Sequence, residues 1–143
     1  MIKKITAFLI LILVLHELQA QEMSLKKGMV IKKSMKIRKT IYQLGSYDSL
    51  NTAVLVIEGN DIVIDFNNAT LSGSTSMLPN KFRGVAVIVR NGKNITIRNL
   101  SVRGYKIALK ATGVVGLKIE NCDFSYNYRQ HLNSTPLKED LSD

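Results

Sequence analysis

Residues 92–105 read GKNITIRNLSVRGY, and residues 116–127 repeat much of that pattern as GLKIENCDFSYN. At an offset of 22 residues, the aligned pairs are Ile95 with Leu117, Ile97 with Ile119, Asn99 with Asn121, Leu100 with Cys122, and Val102 with Phe124. Apolar residues recur at fixed places, and asparagine recurs between them. Self-similarity of this kind indicates a repeat protein whose units stack on one another.

A third copy of the pattern lies upstream. Residues 54–65, VLVIEGNDIVID, match residues 87–98, VIVRNGKNITIR, without a gap at an offset of 33. The eleven residues beyond the shorter period fit one insertion within residues 71–84, LSGSTSMLPNKFRG. This stretch is rich in Gly, Ser, Pro and Asn, a composition typical of loops.

Each copy alternates apolar and polar side chains, as in residues 95–98 (ITIR) and 117–120 (LKIE), which is the period of a half-buried strand. Stacked copies would pair as parallel strands about 4.8 Å apart, with like residues in columns. The expected columns are Ile62, Ile95 and Leu117 inside; Ile64, Ile97 and Ile119 inside; Asp65, Arg98 and Glu120 outside; and Asn99 with Asn121 as a hydrogen-bonded ladder. We therefore predict an all-β solenoid.

Two kinds of solenoid have periods near this one. A leucine-rich repeat would place Asn three residues after the last apolar strand residue, whereas here it follows by two and leucine does not dominate the core. The motif I-x-I-x-N-x-x-x-x-G, complete in residues 95–104, resembles coils of the right-handed parallel β-helix. Over residues 54–127 the chain is similar to exported bacterial β-helix proteins of the pectate-lyase-like superfamily. The predicted fold is a right-handed parallel β-helix of about three coils.

The resemblance carries expectations about function. Most members of that superfamily are polysaccharide lyases, hydrolases, epimerases or esterases, and others are non-catalytic tail fibres and adhesins. The resemblance thus implies a polysaccharide partner, acidic or neutral, on one sheet or the loops beside it. Ca²⁺ enters only by analogy with the family, and the residues themselves predict no cofactor. An inference from fold to function is one of analogy.

The N-terminus has the pattern of a secretory signal peptide. Lys3 and Lys4 precede residues 5–15, which are apolar apart from Thr6, and Ala20 is a small residue suited to cleavage. The apolar run is too short to span a bilayer, which needs about 20 residues. We predict removal of residues 1–20, no transmembrane segment afterwards, and a secreted, periplasmic or cell-surface location.

The net charge of +9 is concentrated near the start of the mature chain. Seven bases and no acid occur in residues 26–39, KKGMVIKKSMKIRK. We interpret residues 21–53 as a basic N-terminal strand or cap region. The stripe is either a solvated strand or a surface that attracts polyanions. In an exported protein those polyanions are acidic polysaccharides or a membrane surface rather than nucleic acid.

Candidate substrate-binding residues come from the ends of two adjacent copies. They are Arg103, Tyr105, Lys106, Tyr126, Tyr128 and Arg129. Aromatic and basic side chains along one edge are suited to sugar faces and carboxylates, although ordinary loop decoration has the same composition. The acids Asp65, Glu120 and Asp123 are scattered, so we predict no metal site and assign no catalytic residue. Cys122, the single cysteine, falls in an apolar column and is interpreted as a small hydrophobe.

The repeat occupies residues 54–127, and residues 128–143 lose the pattern. We expect that tail to be irregular or to start a further coil, and the chain to be the N-terminal part of a longer β-helix. The leading hypothesis is an exported β-helix protein that engages polysaccharide as part of a lyase or glycoside hydrolase. The alternative is a non-catalytic binding or surface-structural module.

Overall fold

The computed structural model describes residues 22–130, which form an all-β structure. The strands are β1 (Met29–Ile31), β2 (Met35–Lys36), β3 (Ile41–Gln43), β4 (Ala53–Ser72), β5 (Val85–Arg103), β6 (Ile107–Val115) and β7 (Lys118–Glu120). Within this range the only helical element is a short 3₁₀ helix, Pro79–Lys81. The predicted signal peptide and most of the predicted tail lie outside the described residues.

All seven strands belong to one parallel sheet that does not close on itself. β1, β2 and β3 pair with successive parts of β4, β4 pairs with β5 along its length, and β5 pairs with both β6 and β7. We call these four layers of chain the first row (β1–β3), second row (β4), third row (β5), and fourth row (β6 and β7). The parallel pairing predicted from the repeats is confirmed.

The predicted inward columns have the expected register. Ile62 lies beside Ile95, Ile64 lies beside Ile97, and Ile97 lies beside Ile119. The members in the second and third rows are buried, but Ile119 is 45% exposed. Ile119 therefore has the predicted register, but the prediction that it is buried is wrong. Among the described residues, no row lies beyond the fourth to cover it.

The long strands bend at asparagine and aspartate residues that have positive φ. β4 bends at Asp61, Asn67 and Asn68, and β5 bends at Asn91, Asn94 and Asn99. Short polar side chains tolerate this left-handed backbone region far better than branched or bulky ones. The repeated asparagine of the sequence is thus a backbone requirement of the bend, which allows three strand directions within one row.

The predicted asparagine ladder is wrong. Asn99 Nδ2 donates to Asp65 Oδ1 at 2.8 Å, and no bond to Asn121 occurs in the described structure. The third and fourth rows are in register here, since Arg98 lies beside Glu120 and Ser101 beside Asp123, but the Asn99 amide bonds to the second row instead. Between the second and third rows the register shifts: Asp65 lies beside Arg98, but Ala69 lies beside Leu100. The second row therefore contains two more residues at this bend than the third. It contains one fewer between Ile57 and Gly59, so the gapless alignment of residues 54–65 holds only from Gly59 to Asp65.

The outward column of alternating charge extends further than the sequence indicated. Its members in register are Lys36, Asp65, Arg98 and Glu120. Arg98 contacts Asp65 at 2.9 Å, and Lys36 contacts Glu22 at 3.1 Å. A second column places Glu58 between Lys32 at 3.5 Å and Arg90 at 2.7 Å. Opposite charges on neighbouring strands stabilise the pairing.

The main hydrophobic core runs through the first three rows, and partly buried residues of the fourth row pack against it. A second, small cluster consists of Ala53, Val85 and Ile88. The largest fully buried side chains of the main core include Tyr105, Phe66, Ile31 and Leu55. The insertion predicted within residues 71–84 is the loop 73–84, which joins β4 to β5, whereas residues 104–106 suffice to join β5 to β6. Phe82, within this loop, is only 2% exposed and anchors it to the body of the protein.

Candidate functional site

A polar surface runs along β3 in the first row and along the C-terminal ends of β4 and β5 in the second and third rows. Gln43, Ser72 and Arg103 are in register there, and so are Thr70, Ser101 and Asp123. These positions alternate with buried residues such as Leu71 and Val102, so their side chains face away from the core. Short hydroxyl side chains thus stand beside one another on a rigid parallel ladder.

The loop 73–84 rises beside this surface and makes it a cleft of about 650 Å³. We call it the hydroxyl cleft. Its lining residues are Gln43, Thr70, Ser72, Ser74, Thr75, Ser76, Met77, Ser101, Val102, Arg103, Gly104, Asp123, Ser125 and Tyr126. Arg103 and Asp123 are the charged residues among them. The cleft therefore offers many hydrogen-bonding groups, one exposed aromatic ring and one charge of each sign.

Asp123 is held in its ionised form. Hydrogen bonding from Ser125, including its backbone N–H at 2.8 Å from Asp123 Oδ1, lowers the pKa of this carboxyl. The carboxylate is consequently an acceptor at neutral pH. Arg103, always protonated, supplies the complementary donors in the same cleft.

A second cleft of about 520 Å³ lies on another side of the loop 73–84. We call it the basic cleft. It is lined by Asp48, Ser49, Leu50, Asn80, Lys81, Phe82, Arg83, Gly84, Lys106 and Tyr128. Arg83 binds Asp48 at 2.8 Å, and Lys106 Nζ lies 5.4 Å from the centroid of the Tyr128 ring. Two lysines, Lys81 and Lys106, add positive charge beyond that ion pair.

The candidate residues chosen from sequence are divided between these clefts. Arg103 and Tyr126 line the hydroxyl cleft, whereas Lys106 and Tyr128 line the basic cleft. Arg129 is exposed and lines neither. Alternation along a strand would place Tyr126 and Tyr128 on the same side. They are separated because the chain bends at Tyr126, just as it bends between Arg103 and Lys106 at Gly104, and both bends have positive φ.

Tyr105 lies in the core and not at the surface. It is fully buried, its hydroxyl donates to the Leu44 carbonyl at 2.6 Å, and burial raises its pKa strongly. Tyr105 therefore joins the third-to-fourth row connection to the residues that follow β3. Sequence reasoning could not separate Tyr105 from its neighbours, because alternation is lost across the Gly104 bend.

The hydroxyl residues of the cleft were not selected from the sequence. Thr70, Ser72, Ser101 and Ser125 come from three different copies, and none of them stands out in the sequence on its own. Ser72 is only 6% exposed. The signal that finds them is their shared position: each follows an apolar core residue at the end of a copy. Only the register of β4 on β5 brings them together.

Within the described residues, the remaining acids and the thiol are dispersed. No group of three or more His, Cys, Asp or Glu side chains suited to a metal occurs in residues 22–130. Burial raises the pKa of Cys122, which is the opposite of what an activated thiol requires. Glu58 has a lowered pKa, chiefly through its hydrogen bond from Arg90, as expected for an ion pair in a structural column.

Comparison of the chain with protein-family models, with curated proteins and with solved structures finds no match in any of the three. The similarity to the pectate-lyase-like superfamily therefore remains a prediction from the motif. In the described part of the chain, no helix has the length and apolar character needed to cross a membrane.

Proposed function

We propose that the chain is an exported right-handed parallel β-helix that binds polysaccharide in the hydroxyl cleft. The parallel pairing of consecutive rows supports the β-helix, since parallel strands joined in sequence need crossover connections, and such crossovers are overwhelmingly right-handed. On this proposal β1–β3 form a coil of their own, so the coils number four and not three. The region 21–53, interpreted as a cap, then contributes the first of them.

The observation that carries the binding proposal is the composition of the hydroxyl cleft. Serine and threonine hydroxyls in register, with Gln43 and Arg103, match the dense hydroxyl groups of a sugar chain. Tyr126 is 59% exposed at the edge and offers a ring face against which a pyranose can pack. Rows at a regular spacing suit a ligand that is itself a repeating polymer.

Binding is favoured over glycoside hydrolysis by the carboxylates present. Hydrolysis requires two carboxyl groups about 5–9.5 Å apart, and Asp123 is the one carboxylate that lines the hydroxyl cleft. Asp48 lines the basic cleft, where Arg83 neutralises it. The lyase hypothesis retains one specific support, because Arg103 is a basic group within the cleft that could face a sugar proton.

The test is a glycan array followed by calorimetric titration of each polysaccharide that binds. We expect the variants R103Q and Y126A to weaken binding about ten-fold each, the effect of losing roughly 1.4 kcal/mol. K118Q is the matched control, because Lys118 is exposed on β7 and lines neither cleft. Y128A tests whether the basic cleft takes part.

Two outcomes decide against parts of this proposal. Absence of binding to every neutral and acidic glycan would remove polysaccharide as the partner. Equal affinities for R103Q, Y126A and K118Q would move the site away from the hydroxyl cleft. Appearance of unsaturated uronate product with the parent chain, and its loss in R103Q, would establish a lyase in place of a binding module.

A further inference from the structure

The basic stripe has a regular arrangement that the polysaccharide proposal does not use. The dibasic pairs Lys26–Lys27, Lys32–Lys33 and Arg38–Lys39 recur at intervals of six residues. The first pair precedes β1, the second separates β1 from β2, and the third separates β2 from β3. The segment that leads into β1 and the two connections of the first row thus carry two bases each, and we call these three segments the dibasic connections.

These three connections surround the core. Ile31, Ile37 and Tyr42, which lie in or next to the three successive strands, are all buried in the same hydrophobic cluster. The second row, with which these strands pair, bends at Asp61 and at Asn67 and Asn68, between the segments beside β1, β2 and β3. The connections therefore do not lie on one line. Six residues of extended chain span about 20 Å, which sets the scale of the separation between the pairs.

The first row is also the terminal row of the described sheet. Its strands pair with β4 on one side, and on the other side only the isolated bridge between Met23 and Ile37 occurs within residues 22–130. The dibasic pairs consequently form the rim of one end of the stack. The other rows have no dibasic pair at their bends.

Acidic neighbours neutralise only part of this charge. Lys32 contacts Glu58, and Lys36 contacts Glu22. Lys27 instead lies 4.1 Å from the centroid of the Tyr47 ring. The exposed bases Lys26, Lys33, Arg38 and Lys39 form no ion pair within the described range. Every dibasic connection therefore keeps at least one base whose charge is not neutralised.

Exposed apolar side chains accompany the bases on this end. Met23 is 41% exposed, Val30 is 44% exposed and Ile41 is 56% exposed. Bases interleaved with apolar side chains match the boundary of a lipid bilayer, where phosphate groups lie above hydrocarbon. A sulfated or carboxylated sugar chain offers the same negative charge but no hydrocarbon.

We propose that this end of the stack docks onto an anionic lipid surface through its three dibasic connections. A flat membrane surface can contact all three dibasic connections at once, whereas a linear polyanion can contact only those on one side of the core. The hydroxyl cleft lies on the side of the stack and stays open in this orientation. The proposal does not depend on polysaccharide binding, since it involves different residues.

The test compares the full-length chain with the single variants K26Q, K33Q and K39Q, one from each connection, and with the triple variant K26Q/K33Q/K39Q. Co-sedimentation is measured with phosphatidylcholine vesicles that contain about 30% phosphatidylglycerol, and with pure phosphatidylcholine vesicles. Each base near an anionic surface contributes about five-fold in affinity, so the triple variant loses about 100-fold. Residues 1–20 are the same in every protein, and their own partitioning cancels between variants. Salt at about 0.5 M releases the parent chain.

The control is the triple variant K81Q/K93Q/K118Q, which removes three exposed lysines from other parts of the molecule. We expect it to bind nearly as tightly as the parent chain, and the three single variants to lose similar amounts. Equal losses in both triple variants, or a loss by K26Q/K33Q/K39Q on neutral vesicles as large as on anionic ones, would overturn the proposal. A large loss in one single variant only, with tighter binding to heparin than to vesicles, would assign the surface to a linear polyanion instead.

Discussion

Replacement of Asp65 tests the charged outward column most directly. Asp65 accepts hydrogen bonds from the Asn67 backbone N–H at 2.8 Å, from Asn99 Nδ2 at 2.8 Å and from Arg98 Nε at 3.0 Å. Its side chain is only 19% exposed. A single carboxylate thus joins the second row to the third and fixes the bend that follows it.

The variant D65A leaves three donors without their acceptor. We expect it to lower the free energy of unfolding by about 2–3 kcal/mol, mostly through the two donors from asparagine residues. The Arg98 pair contributes about 0.5 kcal/mol, because the Arg98 side chain is 45% exposed. For a domain of this size the loss corresponds to a fall in Tm of roughly 10 °C. Urea unfolding followed by circular dichroism measures it.

The pH dependence gives an independent check. Partial burial raises the pKa of Asp65, but the bonds from Asn99, Asn67 and Arg98 outweigh it, so the net pKa is lowered. A carboxyl whose pKa is lower when folded stabilises the fold fully above its unfolded value of about 3.9. That stabilisation disappears as the pH falls through the folded pKa. The stability gap between the parent chain and D65N, about 1 kcal/mol at pH 7, should therefore close at low pH.

The matched control is E120Q, because Glu120 stands in the same column in register with Arg98 but forms no ion pair in the described structure. We expect its effect to be within about 0.5 kcal/mol of zero. Two results would contradict this reasoning. One is an equal loss of unfolding free energy in D65A and E120Q. The other is a stability difference between the parent chain and D65N that stays unchanged well below pH 3.

Three further predictions address the core and the bends. Y105F should lower the free energy of unfolding by about 1–2 kcal/mol, because the Leu44 carbonyl loses its donor, and should leave glycan affinity unchanged in titration. I97A should lower the free energy of unfolding by about 3–4 kcal/mol but I119A by only about 1 kcal/mol, since Ile97 is fully buried and Ile119 is not. Equal losses measured by urea unfolding would contradict the interior register. G104A should lower the free energy of unfolding by at least about 1 kcal/mol, because Gly104 has φ +79° and a Cβ there would lie 2.8 Å from the Ser74 nitrogen. An unchanged thermal unfolding temperature would show that this bend relaxes freely.

The sequence predicted those features that depend on repetition. The alternation around Ile95 and Ile97 led to parallel strands in register, and the polar insertion led to the loop 73–84. Features that depend on a local irregularity were missed. The two additional residues after Asp65 shift the register between the second and third rows, and the repeat did not indicate that the Asn99 amide bonds to the Asp65 carboxylate and not to Asn121.

The candidate site was harder to predict than the fold for a related reason. Three neighbours in sequence lie in three different places: Arg103 lines the hydroxyl cleft, Tyr105 is in the core, and Lys106 lines the basic cleft. Direction cannot be derived from alternation across a bend whose glycine has positive φ. The first row was also missed as a repeat, because its strands are short and bases occupy each of its connections.

The segment between β3 and β4 spans more of the molecule than its length suggests. Lys110 Nζ, in the fourth row, donates to the Leu50 carbonyl at 3.0 Å and lies 3.3 Å from Asn51 Oδ1. In arrays where each layer touches only its neighbours, the ends open first and independently. The hydrogen bonds of Lys110 link the segment between the first and second rows to the fourth row, and they therefore oppose independent opening of the ends. Amide protons of β6 should then exchange together with those of β4 in one cooperative event, so the molecule unfolds as a unit and not layer by layer.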